Sequence, residues 1–232
     1  MFYLNPTYMM FMLPAILLMV IAQLYVSSAY KKWSQVRVST QISGADAAQR
    51  LIRMAGLSEV QIEPIQGNLT DHYDPRTKIL RLSPGVYRGN SVASLAIAAH
   101  ELGHALQDHE GYFPLRLRAA LVPAVNIGSW LGWILIILGL VLGLTNLAWM
   151  GVLVFSAGAA FALATLPVEL NASARARQLL TDSGLIYTEE EQQGVSKVLN
   201  AAALTYIAAL ATAVFQLLYY ASMVAGIGGN RD

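Results

Sequence analysis

Two histidines and a glutamate could do chemistry together: residues 100–104 read His100-Glu101-Leu102-Gly103-His104. On a helix, residues four apart share a face, so both imidazoles project side by side. Such a pair suits Zn2+, which takes imidazole nitrogen at about 2.0–2.1 Å. Glu101 is placed to reach a water on that metal and act as general base. The run from Ser91 to Ala99 favours helix, with Asn90 or Ser91 as N-cap. Gly103 is a poor helix residue, costing about 1 kcal/mol against alanine, and its small size lets another backbone come close.

Catalytic zinc usually has three protein ligands plus water, so a third must come from elsewhere. A metzincin pattern is excluded, because Gln107 and Glu110 stand where its glycine and histidine belong. Asp108 lies four residues beyond His104 but a further turn away. His109 and Glu110 read as a capped, solvated turn before Gly111. Glu169 is the better candidate: it follows an apolar stretch directly and is read as opening a helix. The competing reading is a helix N-terminal glutamate held by the macrodipole.

The elements that must position these residues are largely apolar. The chain has 232 residues, 56% hydrophobic and 12% charged, with mean hydropathy +0.49, against about 25% charged in soluble domains. Four stretches match the roughly 20 residues that cross a bilayer: Tyr8–Tyr30, Pro123–Leu144, Leu147–Leu166 and Val198–Val224. The first has no basic residue before Lys31, so it reads as a retained anchor rather than a signal peptide. Of the 15 Lys and Arg residues, only Arg231 falls on the far side of these spans. The positive-inside rule then places 31–122 and 167–197 in the cytoplasm and both termini outside. There is no cysteine, hence no disulfide or thiolate site. No basic patch with interleaved aromatics points to nucleic acid. Gly128/Gly132 and Gly139/Gly143 suit close helix packing without establishing a dimer.

Within 31–122, Ser43–Met54 reads as an amphipathic helix with Ala47, Ala48, Leu51, Ile52 and Ala55 on one face and Gly56 at its end. Val60–Glu63 reads as a strand. Leu69–Tyr73 and Thr77–Leu82 flank the turn Asp74-Pro75-Arg76, making a hairpin whose open edge could accept an extended peptide. Pro167 is expected to break the third span, with a new helix over Val168–Leu180. Thr188 followed by Glu189, Glu190 and Glu191 reads as the start of the last helix. Because spans two and three form a hairpin, the two ends carrying the histidines and Glu169 return to one membrane surface.

On Leu69-Thr70-Asp71-His72-Tyr73-Asp74-Pro75, Ala99-His100-Glu101-Leu102-Gly103-His104-Ala105 and Leu166-Pro167-Val168-Glu169-Leu170-Asn171-Ala172-Ser173, the chain resembles the YugP-like neutral zinc metallopeptidases of bacterial membranes. In outline it is also similar to HtpX-type membrane gluzincins, which continue the glutamate as E-x-x-A-D. Here Ser173 stands where that acid would support a zinc-bound imidazole. The resemblance implies His100, His104 and Glu169 as zinc ligands and Glu101 as the base.

Together these readings predict a mainly α integral membrane protein of the plasma membrane. It would have four transmembrane helices and a small α+β zincin-like metallopeptidase domain on the cytoplasmic side. The expected segments are an anchor (1–30), the zincin-like part with the metal helix (31–122), a transmembrane hairpin (123–166), the segment with the third ligand (167–197) and a C-terminal transmembrane helix (198–232). The expected activity is zinc-dependent hydrolysis of polypeptides, in membrane protein quality control or peptide processing. A second electrophile would help stabilise the oxyanion. His72, Tyr73 and Arg175 are candidates, His72 from the edge hairpin, while Arg175 is more simply read as facing lipid phosphate or an internal acid. A zinc-holding membrane scaffold or protease adaptor remains an alternative, with a metal transporter behind it. Partner proteins and oligomeric state stay open.

Overall fold

The computed structural model of the protein describes residues 5–228. Residues 1–4 and 229–232, with Arg231 and the far-side charge assigned to it, lie outside the described residues. Four stretches are long and apolar enough to cross a bilayer: Pro6–Trp33, Phe113–Val141, Thr145–Asp182 and Glu189–Gly226. The chain divides into two compact units, one from residues up to Ala22, Arg116–Pro167 and Thr205 onwards, the other from Gln23–Leu115 and Val168–Leu204.

The first unit is helical. It takes parts of α1 (Pro6–Trp33), α5 (Phe113–Val141), α7 (Ala157–Asp182) and α8 (Glu189–Gly228), and all of α6 (Thr145–Phe155). Its α5–α6 hairpin closes through glycine: a Cβ on Gly139 would lie 2.7 Å from the Ala148 Cα, and one on Gly132 2.8 Å from that of Phe155. Small residues let helix backbones approach where lipid offers no hydrophobic drive for association. Phe155 meets Tyr220 edge-on at 5.0 Å, and Tyr8 meets Tyr219 at 5.1 Å.

Pro167 does not end a helix. It sits inside α7, and the interruption falls at Ser156 instead. Proline removes one N–H and so leaves the Leu163 carbonyl without its usual donor. That is one bond in a 26-residue helix, and the Thr165 hydroxyl still bonds back to the Phe161 carbonyl at 2.8 Å. At Ser156 the hydroxyl donates to Leu153 O at 2.6 Å, within a single-residue break between α6 and α7. The correction moves Glu169 from a helix start to a helix interior, where the first-turn dipole no longer accounts for it.

The second unit is mixed. After α1, residues 36–38 run beside 90–92: Val38 N–H donates to Asn90 O at 3.0 Å and Val92 N–H to Val36 O at 2.9 Å. This delivers the chain to α4 (Val92–His109), whose N-cap Ser91 accepts from the Ser94 amide at 3.1 Å. α2 (Gly44–Met54) buries Ala47, Ala48, Leu51 and Ile52, the face its 3.6-residue period marks. Gly56, at φ 70°, ends it in a conformation that costs glycine little.

β1 (Gln61–Pro64), β2 (His72–Asp74) and β3 (Ile79–Leu82) form a sheet in the order β1-β3-β2, with β1 parallel and β2 antiparallel to β3. A four-residue α3 (Pro84–Tyr87) then leads into α4. Strands β2 and β3 are shorter than the expected hairpin arms. Leu69 and Lys78 take positive φ, and the Asp74 carboxylate folds back onto the Arg76 amide (3.0 Å) and the Thr77 hydroxyl (2.8 Å). The turn therefore consumes residues that would otherwise extend the ladder.

Glu191 clips this unit together. It accepts the Ser39 amide (2.6 Å) and hydroxyl (2.8 Å) and the amides of Tyr187 (2.7 Å) and Thr188 (3.0 Å), while the Thr188 hydroxyl accepts the Glu191 amide at 3.1 Å. The last pair is a capping box at the start of α8. Glu191→Ala strands several donors in a part-buried position, and we expect it to cost about 2–3 kcal/mol, read as a lowered thermal transition in detergent.

Candidate metal centre

α4 is held as a central helix by burial of Val92, Leu95, Ala96, Ala99 and Leu102. Its remaining face presents His100 and His104, whose rings meet at 4.9 Å and nearly perpendicular. α7 crosses this face. At the crossing a Cβ on Gly103 would lie 2.5 Å from the Ala172 carbonyl oxygen and 3.1 Å from its Cα. Only a residue without a side chain permits that approach, and it brings Glu169 of α7 over the two imidazoles.

His100 Nε2 lies 3.2 Å and His104 Nε2 3.4 Å from the same oxygen, Glu169 Oε2. One nitrogen from each ring and one carboxylate oxygen thus fall within 4.8 Å of one another. Glu169 is only 2% exposed. A carboxylate so buried is costly unless paired with positive charge and hydrogen bonds. The donor set of two imidazole nitrogens and one carboxylate fits Zn2+.

Both rings are held from behind. Ser173 Oγ lies 3.2 Å from His100 Nδ1, in the place where the resemblance led one to look for an acid. Gln107 Oε1 lies 3.0 Å from His104 Nδ1. With both Nδ1 atoms engaged, both Nε2 atoms face Glu169, the orientation a metal ligand pair requires. The sequence had used Gln107 only to exclude a metzincin. Its sole signal there was a polar residue three positions beyond a histidine, on the apolar side of a helix.

Glu101 lies beside the histidines, and its Oε2 accepts the Tyr73 amide of edge strand β2 at 3.1 Å. The Tyr73 hydroxyl donates to Asp108 Oδ2 at 2.8 Å, and Lys78 is paired to the same oxygen. One hairpin residue is therefore gripped at both ends by α4, and Asp108 serves this hold rather than the group of three. Burial pushes the Glu101 carboxyl up, though the neighbouring histidines partly offset this. For His104, burial alone favours the neutral ring, but the Glu169 hydrogen bond and the Glu101 and Glu169 charges prevail and raise its pKa.

The other expected residues fall nearby. His72 precedes the amide that holds Glu101, and its Nδ1 is 2.8 Å from the Thr70 carbonyl, which only accepts. Nδ1 therefore carries a hydrogen. Arg175 pairs with an internal acid: it donates to Glu110 Oε2 at 2.6 Å and to Asn171 Oδ1 at 2.7 Å. Glu110 follows the end of α4, and His109 is 3.0 Å from Glu59.

A family model described as "Putative neutral zinc metallopeptidase" matches residues 8–225. The chain is 46% identical over 199 residues to the "Putative membrane protease YugP" of Bacillus subtilis (strain 168), covering 86% of this chain and 88% of that relative. No solved structure matches.

Two outcomes follow from the geometry. Gly103→Val should force α4 and α7 apart and lower zinc content measured by metal analysis. The metal-free protein should also lose stability as pH rises above 6.5. A histidine whose folded pKa is raised above 6.5 stabilises the fold fully below that value and loses the effect as pH rises through the folded value. The raised Glu101 carboxyl acts with the same sign, since its ionisation is harder in the fold. Added zinc needs neutral imidazoles, so its stabilising increment should grow over the same range. Thermal melts with and without chelator read both effects.

Proposed function

The chain belongs to the neutral zinc metallopeptidase family, and from that premise we propose that it is a membrane-embedded, gluzincin-type endopeptidase with His100, His104 and Glu169 as zinc ligands and Glu101 as general base. The observation that carries this reading is the convergence of His100 Nε2 and His104 Nε2 on Glu169 Oε2, with Glu101 alongside. The polar segments 31–122 and 167–197 would make up the peptidase domain, and the apolar stretches its membrane part. Zinc bound there would supply a Lewis acid that polarises a scissile carbonyl and brings the pKa of water to about 7.

The chain's own groups do the rest. Glu101 accepts the proton of the attacking water, and its burial, which raises its pKa, suits it to pass that proton to the leaving amine. The Tyr73 amide holds one carboxylate oxygen of Glu101 and so orients the other. Strand β2, at the sheet edge, offers main-chain groups along which an extended polypeptide could lie. Of the three candidates for oxyanion support, Tyr73 is committed to Asp108 and Arg175 to Glu110 and Asn171. His72 is the one that fits: its Nδ1–H goes to the Thr70 carbonyl, and Nε2 of the imidazolium would be the donor that faces an oxyanion.

A cytoplasmic site is favoured by Lys31, Lys32, Arg37, Arg116, Arg118, Arg175, Arg177 and Lys197, which flank the apolar stretches on one side. With the site inside, both termini lie outside. The substrates in view are membrane proteins under quality control or peptides under processing.

Glu101→Gln should keep one zinc per chain and lose about 10²–10⁴-fold in cleavage of an unstructured reporter such as casein. Glu169→Ala should lose zinc, and His72→Ala should keep zinc while lowering kcat. Full activity in Glu101→Gln would remove Glu101 as the base. Zinc retained with no hydrolysis by the wild type would favour a scaffold or adaptor. Since the chain has no cysteine, Ser58→Cys gives a clean topology probe: an impermeant maleimide should label it only after the cells are opened.

A further inference from the structure

We propose that Gln107 is a positioning residue which orients His104 for metal and at the same time latches α7, the helix carrying Glu169, onto α4. This rests on the zinc-ligand reading above.

Gln107 is fully buried. Its Nε2 donates to the Val168 carbonyl at 2.8 Å and to Asn171 Oδ1 at 2.9 Å, and its Oε1 lies 3.0 Å from His104 Nδ1. An amide side chain has two N–H donors and one carbonyl acceptor. All three contacts are met by one orientation only. The Val168 carbonyl can only accept, so it must face the NH2 end. Asn171 Oδ1 is fixed as an acceptor too, because the Arg175 guanidinium that donates to it at 2.7 Å has no acceptor to offer. Arg175 is in turn anchored by Glu110.

Two independent anchors therefore turn the Gln107 oxygen towards His104. Facing an oxygen, His104 Nδ1 must carry the hydrogen, so in the neutral ring Nε2 is the nitrogen whose lone pair would go to a metal. The tautomer of a ligand histidine is thus set by a backbone carbonyl and a guanidinium on α7. The same amide holds α7 at Val168, the residue before Glu169. A glutamate at 107 could still accept from His104, but it would set oxygen against two acceptors. A leucine would make none of the three bonds.

The test is zinc affinity of the full chain in detergent, by competition with a chromophoric chelator, alongside helicity and the thermal transition of the metal-free protein. Gln107→Leu and Gln107→Glu should each weaken zinc binding about 10–100-fold. Asn171→Leu should weaken it several-fold. Asn171→Asp, which keeps an acceptor for both Gln107 and Arg175, should hold the affinity near that of the wild type. That rescue separates orientation from mere packing, and the Asn171 pair decides the matter should a Gln107 variant fail to fold. Unchanged affinity in Gln107→Leu, or equal loss in Asn171→Asp and Asn171→Leu, would overturn the proposal. A wild type that binds no zinc would overturn the ligand reading itself, whereas a zinc-binding wild type matched by Gln107→Leu would overturn only this inference.

Discussion

The contact between α4 and α7 at Gly103 and Ala172 is the constraint on which the centre depends. Two imidazoles one turn apart come free with any helix, but a carboxylate has to be brought to them. Here it comes on a second helix whose backbone passes so close that no Cβ fits between. The same crossing places Ser173 behind His100, Asn171 beside Gln107 and Glu169 over both rings. One missing side chain thus sets the spacing of four functional contacts. Interiors packed to this density transmit small displacements rather than absorbing them.

Around that crossing the polar side chains are matched, not merely present. Among the described residues no buried side-chain nitrogen or oxygen lacks a partner. The run from Thr70 to Asp74 shows how densely the matching is arranged. Thr70 holds the His72 ring, Asp71 holds the amide and hydroxyl of Ser83 ahead of α3, Tyr73 ties β2 to α4, and Asp74 shapes the hairpin turn. The purpose of these bonds is placement. They set the sheet edge at a fixed register against the glutamate that follows the first histidine, and a site of this kind works only if its geometry is held before substrate arrives.

The departure at Ser173 is instructive. A carboxylate behind a ligand imidazole would raise its basicity, whereas a hydroxyl orients the ring with less charge. The buried charge in this centre is therefore limited to Glu169 and Glu101. That restraint limits the cost of the centre, since each further buried carboxylate would need its own compensation.

Local chemistry made much of this legible from residues alone. The i, i+4 histidines, the N-cap at Ser91, the amphipathic face of α2 and the capping box at Thr188 are all short-range patterns, and each is found in place. The apolar stretches were equally plain, because a bilayer demands about 20 residues of uniform character. Glu169 could be singled out because an acid after an apolar run needs a reason. What required the tertiary structure was relational. Pro167 signals a break, yet a long helix tolerates one lost bond, so Glu169 sits in mid-helix. Gln107 looks unremarkable in sequence because its three partners lie on its own helix and 61 and 64 residues further along the chain. Hydrogen bonds across such distances leave no period or spacing behind, so which end of that amide faces His104 was decided only when α7 packed against α4.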